Sequence, residues 1–482
     1  MLGSIRQVAK RAILASMNAW DLRGTRRQSQ APELWDLGMT VQGTLAWDGV
    51  DLCQVAAAHG TPLHVISKAR LEKDYTTFRS AFASEYPKVD VAYSYKTNPL
   101  PAVIEALHGL GATAEVISEF ELWLALRMGV PRDRIIFNGP AKTEDALNLA
   151  MRPGIKLINI DNLVELDLLE RIASRSRGRQ RVGIRVVTSV GWSGQFGMAI
   201  ADGSAAAAFR RLRASTSLSP CGVHVHLGNG LRSSLIYQTA AREVVEFVKS
   251  LRREMDIKID HVDLGGGFGV PTVRPLNELD QRYALNGYPL RSPQPGESPS
   301  PAEFARAIAP ILRAGLTESD GTVPELVLEP GRAITSSAQL LLLRVLAIKP
   351  GPRGERYVIL DGGKNIAMPP AWEYHEAFLV NPVADRPIRR HSIFGPLCHT
   401  GDVMFRSRSF PELRVGDLLA IMDAGAYFIP NQMNFSNPRP SAVLIEGGRA
   451  HLVRGRETFE DMVRLDPLAS REPHRPSAIA VE

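Results

Sequence analysis

ATAEVISEFELWLALRMGVPRDRIIFNG, residues 112–139, sets two short apolar runs, ATAEVIS and RIIFNG, on either side of FELWLALRMG, whose apolar positions recur every three and four residues. The runs have the length of buried strands, and the spacing between them is that of a helix with one apolar face. The same alternation extends from about Thr61 to Arg332, through LHVIS, VAYSYK, KLINID, VGIRVV, GVHVHLG, HVDLGGG and ELVLEPG, with amphipathic segments such as NLVELDLLERIA between them. Eight or nine such strands without a reversal of pattern predict an α/β fold closed into a (β/α)8 TIM-like barrel rather than an open doubly wound sheet. Functional side chains are then expected at the C-terminal ends of the strands.

After Arg332 the texture changes to strand-like runs, LLLLRVLAIK, RYVILDGG, DLLAIMDAG and AVLIEGG, separated by turn residues. A C-terminal mainly-β domain is expected over 333–470, with a flexible tail at 471–482. The run TLAWDGVDL places an N-terminal strand of that domain in 38–60, and the barrel is expected over 61–332. Prolines and glycines crowd 271–301, ending in YPLRSPQPGESPSP, so this stretch is read as a long surface loop.

Composition narrows the function classes. The 57 basic and 51 acidic residues leave a net charge of +6, and the first 27 residues contribute Arg6, Lys10, Arg11, Arg23, Arg26 and Arg27 against Asp21 alone. A basic flexible N-terminal extension is expected over 1–37. The basic excess is not interleaved with aromatics, so no nucleic acid is expected as a partner. No run approaches the roughly 18 apolar residues of a spanning helix, and AQLLLLRVLAI is broken by Arg344, so no membrane association is expected either. Three widely spaced cysteines, Cys53, Cys221 and Cys398, argue against a disulfide framework and for a reducing, cytoplasmic setting.

Several segments carry chemistry. VAYSYKTN ends an apolar run with Lys96, an ammonium that either reaches water or is used with a depressed pKa. HVDLGGGFGV brings Gly265, Gly266 and Gly267 after a strand, where backbone N–H groups could approach a phosphate or the chain could simply turn a tight corner. It is not a dinucleotide fingerprint, since that spacing would need glycine at Val270. In LVLEPGRAI, Glu329 and Arg332 could pair with each other or serve a cofactor with a basic ring nitrogen and an anionic tail. His224 and His226 in GVHVHLGNG share one face of a strand. No third ligand at a recognisable spacing accompanies them, so no metal is expected and stacking or packing is preferred. GPLCHTGD holds Cys398, His399 and Asp402, and DAGAYF holds Tyr427. A lone thiol of this kind is more often a small buried hydrophobe than a catalyst.

Taken in order, from about Thr61 to Asp466, these segments resemble the fold-type III pyridoxal-phosphate decarboxylases, the group of diaminopimelate, ornithine and arginine decarboxylases. Tyr93, Lys96 and Asn98 match that family's Y-x-x-K-x-N setting, and GGG, EPGR, GPxCxxxD and DAGAY are present as well. The resemblance implies an alanine racemase-like barrel and pyridoxal 5'-phosphate as cofactor. Lys96 would hold it as a Schiff base, Gly265, Gly266, Gly267 and Tyr427 would cradle its phosphate, Arg332 would sit beside phosphate and substrate, and His226 would stack on the ring. Glu329 would keep the pyridine nitrogen protonated, which favours loss of CO₂ over racemisation. Cys398 would protonate the product carbanion from the second subunit of a homodimer with shared active sites.

The distal substrate contacts depart from the family. Diaminopimelate decarboxylases carry C-E-S-G-D where this chain has CHTGD, and Arg-Pro-Ala-Leu-Tyr where it has MPPAWEYHE, with Pro369 in place of the arginine and Trp372 near the tyrosine. Asn229 replaces the serine usual after His-x-Gly. His399, Asp402 and Trp372, with Arg332, are the expected substrate contacts, and the expected reaction is decarboxylation of an α-amino acid or of a conjugate bearing one. The alternatives are a true diaminopimelate decarboxylase, an amino-acid racemase of similar fold, and a non-catalytic pyridoxal-phosphate-binding protein.

Overall fold

In the computed structural model, which describes residues 2–22, 30–175, 178–294, 296–351 and 354–466, eight parallel strands close into a barrel. They are Val89–Ser94, Thr113–Val116, Ile135–Phe137, Leu157–Ile160, Gln180–Val187, Leu218–His224, His261–Asp263 and Glu325–Leu328. Each pairs with the next, and Leu326 opposite Val89 shuts the ring. Helices cover the outside, which is why these strands read as continuous apolar runs. Polar side chains just past the strands start those helices sharply: Ser118, Thr143 and Asn162 accept the N–H groups of Glu121, Ala146 and Glu165.

The outer ring is completed from the wrong end of the chain. Helix Lys68–Ala83, which precedes the first barrel strand, packs beside Pro101–Gly109 and Pro301–Leu316. The run LHVIS, grouped by its texture with the barrel, is corrected by the pairing: Leu63–Ser67 lies in the sheet of the second domain, antiparallel to Gln339–Pro350 and parallel to Ser441–Glu446. An apolar pentapeptide looks the same in either sheet, and only its partners distinguish them.

Gln339–Pro350 is the long central strand of the second domain, pairing with Leu63–Ser67, Leu418–Ile421 and Arg356–Leu360. Its four consecutive leucines serve two cores. Leu340 and Leu342 pack with Trp35, Trp47 and Val443, while Leu341 and Leu343 pack with Val358, Ile393 and Phe428. A strand's alternation sends successive side chains to opposite faces, and here both faces are dry. TLAWDGVDL forms a separate small sheet, Leu45–Trp47 with Val50–Asp51 and Leu37–Met39, whose Trp47 enters the first of these cores.

Two further expectations are corrected. Residues 1–37 were expected to be a flexible extension, yet Leu2–Asp21 is helical and Trp35 is fully buried. Asn18 of that helix donates to the Pro289 carbonyl at 2.9 Å, docking it on the 271–301 segment. That segment is itself more than a loop: Asn277 and Asp280 form a capping box that starts helix Glu278–Leu285, and Arg274 holds the buried Asp280 carboxylate at 2.5 Å. Proline density hid a short helix whose signal is the cap. The expected tail, 471–482, lies outside the described residues.

Behind the GGG turn, Phe78, Phe82, Tyr237, Phe268 and Phe304 form one aromatic cluster, with Tyr237 and Phe268 stacked at 4.7 Å. The Tyr237 hydroxyl donates to the Gly266 carbonyl at 2.8 Å, so the cluster fixes the turn. Phe268→Ala is expected to destabilise the cofactor-free protein by about 3–5 kcal/mol, read from its denaturant midpoint. A loss below about 1 kcal/mol would mean that the cluster can collapse around the vacancy.

Candidate active site

The C-terminal ends of the barrel strands converge on a cavity of about 290 Å³. Ser94, Glu115, Asn138, Arg185, His224 and Glu329 line it, each from or just past a different strand. Lys96 enters on the short helical turn Tyr95–Thr97 that follows Val89–Ser94. That turn is pinned by the Tyr93 hydroxyl, which donates to the Asn98 carbonyl at 2.9 Å, and by the Asn98 amide, which donates to Gln339 at 2.8 Å. Tyr93 and Asn98 therefore aim the lysine rather than touch what it touches.

Lys96 Nζ lies 3.4 Å from Glu115, and its side chain is 30% exposed. Burial alone would lower its pKa, but the carboxylates of Glu115 and Glu329 outweigh that and raise it. The expectation of a depressed amine is thus corrected, because the residues around Lys96 are acids from strands far away in sequence. The Asn138 amide bridges those acids, donating to Glu115 at 2.9 Å and to Glu329 at 2.5 Å, while its own oxygen accepts from Asn159 at 2.8 Å.

Glu329 is fully enclosed, 3.5 Å from His224 and 3.7 Å from His226. Burial would raise its pKa, but its surroundings, with the Lys96 ammonium among them, lower it instead. Burial pushes His224 down to about 3, so that ring is neutral, and the charge on Glu329 is held by Lys96 and the Asn138 amide. Asp263 beside it moves the other way, raised well above the carboxylate range by burial and by Glu329. His226 Nδ1 accepts the Gly266 N–H at 3.2 Å, which leaves the ring proton on Nε2. His224, His226 and Glu329 hold their ligand atoms within 4.8 Å of one another, a donor set of the kind a metal could use, completed by a strand that the histidine spacing could not reveal.

At the rim, Trp192 packs on His226 at 5.4 Å and stacks on Phe196, over which the Arg185 guanidinium lies at 4.3 Å. Arg332 does not pair with Glu329. Its Nη2 donates to Glu373 at 2.6 Å, its guanidinium lies 5.4 Å from the Tyr427 ring, and its Nε and Nη1 have no acceptor among the described residues. Tyr427 holds a left-handed backbone, φ 67°, and its N–H donates to the Thr97 carbonyl, tying the second domain to the Lys96 turn.

The geometry fits pyridoxal phosphate. A Cβ on Gly266 would lie 2.2 Å from the Glu329 carbonyl oxygen, and one on Gly267 2.1 Å from that of Gly228, so only bare backbone can form this wall. The two nitrogens of buried Arg332 left unpaired among the described residues suit an oxyanion, since an unpaired buried donor is costly. Of the remaining expected contacts, Cys398 and His399 are exposed, Trp372 is 42% exposed, and none of the three lines the cavity within one chain. Asp402, expected at the substrate, is corrected: its buried carboxylate accepts the N–H groups of Lys364 and Leu397, both at 2.8 Å, and shapes the GPLCHTGD loop.

Glu115, Asn138, Arg185, Trp192 and Asp263 were missed in the sequence. The signal for Glu115 was available, an acid at the end of an apolar strand, as with Lys96. Close by, Glu121 has its carboxyl raised to about 7, by burial first and then by Glu115. A carboxyl raised in the folded state contributes stability below about pH 4.5 that is lost as pH rises through 7. Glu121→Gln should therefore remove roughly 2–3 kcal/mol of the fall in stability between pH 5 and 8, measured by denaturation across pH. An unchanged pH profile would show that Glu121 ionises freely.

The family described as pyridoxal-dependent decarboxylase, pyridoxal binding domain, matches residues 68–336. Diaminopimelate decarboxylase of Methanothermobacter thermautotrophicus is 31% identical over 448 residues, covering 90% of this chain and 98% of its own. That of Actinosynnema pretiosum is 32% identical over 449 residues, covering 90% and 95%. The crystal structure of diaminopimelate decarboxylase from Methanocaldococcus jannaschii superposes with a TM-score of 0.80 at 30% identity, covering 91% of this chain and 98% of that one. With the lysine, the glycine wall and the buried glutamate gathered at the mouth of the barrel, the chain belongs to the fold-type III pyridoxal-phosphate-dependent decarboxylases.

Proposed function

We propose that this pyridoxal-phosphate-dependent amino-acid decarboxylase removes the α-carboxylate from an amino acid, or a conjugate bearing one, in a site completed by a second copy of the chain. The observation that carries the choice of reaction is the buried, ionised Glu329 carboxylate, held by the Asn138 amide and facing Lys96. When bound, pyridoxal phosphate supplies a carbonyl for the substrate amine and a ring that accepts the electron pair left on Cα as CO₂ departs. Lys96, the lysine that lines the cavity, would hold the cofactor covalently through Nζ. Glu329 would keep a proton on the ring nitrogen, which would strengthen that electron acceptance. His226 would cover one face of the ring, Gly267 and Tyr427 would border the phosphate, and Arg332 would offer Nε and Nη1, unpaired among the described residues, to an oxyanion. Trp192 and Phe196 narrow the mouth against water.

Within one chain no thiol reaches the cavity, so protonation by Cys398 requires the partner subunit, as does any reading of the substrate by His399 and Trp372. This is the basis for proposing a homodimer. Among the described residues no helix is long and apolar enough to cross a membrane, and a cytoplasmic location is proposed with it.

A screen for CO₂ release from D- and L-amino acids tests the reading, including meso-diaminopimelate, lysine, ornithine, arginine and glutamate-like conjugates. A second reading, meso-diaminopimelate itself, is favoured by relatives that match over 98% of their length. Release from that substrate selects it, and release from another member shows that the changed distal contacts select differently. Inversion at Cα without CO₂ would replace both readings with a racemase, and cofactor absorbance without any turnover would leave only a binding protein.

A further inference from the structure

Glu373 has no place in the reaction described above, yet it is the strongest partner of Arg332. Both side chains are buried, at 6% and 4% exposure, and Glu373 Oε1 accepts from Nη2 at 2.6 Å. The contact is one-pronged. A guanidinium carries five N–H donors in a rigid planar fork, so fixing Nη2 sets the plane in which Nε and Nη1 point, and those two have no acceptor among the described residues. Glu373 is itself held firmly. Its backbone belongs to a two-residue ladder, Arg274 with Tyr374 and Pro275 with Glu373, extended by the Leu276 N–H to the Trp372 carbonyl at 2.8 Å. Its second oxygen lies 3.4 Å from His375 Nε2, and His375 Nδ1 is 3.0 Å from the Met422 carbonyl. Burial works against its charge, but Arg332 and His375 win and keep it ionised.

We propose that Glu373 is a positioning residue: supplied by the short second-domain strand Glu373–Tyr374, which pairs with Arg274–Pro275, it orients Arg332 so that Nε and Nη1 meet an oxyanion at the catalytic cavity. The oxyanion is the cofactor's phosphate ester or a carboxylate of the substrate, which share this chemistry. The inference rests on the proposed assignment of Arg332 to an oxyanion.

The test uses the full-length protein stripped of cofactor, as wild type, Glu373→Gln and Arg332→Ala. Dissociation constants for pyridoxal phosphate and for pyridoxal, which lacks the phosphate, are measured by absorbance, and binding of glutarate to the loaded proteins by calorimetry. Glu373→Gln keeps the volume of the side chain, and its unfolding midpoint without ligand reports any general loosening, which would weaken both cofactor forms alike. A roughly tenfold loss of preference for pyridoxal phosphate over pyridoxal assigns the oxyanion to the cofactor. An unchanged preference with a similar loss of glutarate binding assigns it to the substrate. Unchanged values for both ligands in Glu373→Gln, or tighter binding, overturn the positioning role, the latter by showing that Glu373 competes for Arg332. If Arg332→Ala also changes neither, the assignment of Arg332 has failed, and the two failures are thereby told apart.

Discussion

Lys96→Ala is expected to abolish covalent attachment of pyridoxal phosphate: no borohydride-reducible adduct forms, and decarboxylation falls below detection. The size of the effect follows from the absence of a substitute. Lys142, a buried lysine of the barrel, is fully engaged, donating to the Gly139 and Asn159 carbonyls at 2.8 and 2.7 Å and to Glu165 at 2.7 Å. A search by depressed pKa alone would choose Lys142, whose amine burial lowers, over Lys96, which the surrounding acids raise. Geometry decides otherwise, because Lys96 lines the cavity and Lys142 does not. Retention of the reducible adduct in Lys96→Ala, with a labelled peptide containing Lys142, would sink the assignment.

Cys398→Ala should leave cofactor absorbance intact and slow turnover by about 10²-fold or more, the range for loss of a positioned proton donor. Because Cys398 is exposed and away from its own chain's cavity, the proposed proton donation would cross the boundary of the proposed dimer. Mixing freely reassorting Lys96→Ala and Cys398→Ala subunits should then return about a quarter of wild-type activity, since half the dimers are mixed and each carries one whole site. No recovery on mixing would place the whole reaction within one chain. Full activity of Cys398→Ala by itself would show that another group protonates the product.

The periodicity of residues 112–139 and its repetition sufficed for the barrel, and local motifs singled out Lys96, Glu329, Arg332 and Tyr427, which all line the cavity. These are features that a few consecutive residues carry: a strand's length, a helix's spacing, a glycine run. What the sequence left open was which distant segments meet. LHVIS has the texture of a barrel strand, but Gln339–Pro350 and Ser441–Glu446 take it as a partner. A lysine at the end of a strand suggests a depressed amine, but Glu115 and Glu329 arrive from other strands and raise it. Asp402 sits in a catalytic-looking motif and yet spends its carboxylate on two backbone N–H groups. By itself the sequence determined the barrel's alternation of strands and helices and the cofactor's class, because those depend on local stereochemistry and short motifs. The tertiary structure alone decided the ionisation of the site, the pairing of Arg332 with Glu373, and the placing of Cys398 away from its own chain's cavity. Charge interactions and solvent exclusion act through space between groups that the chain keeps far apart.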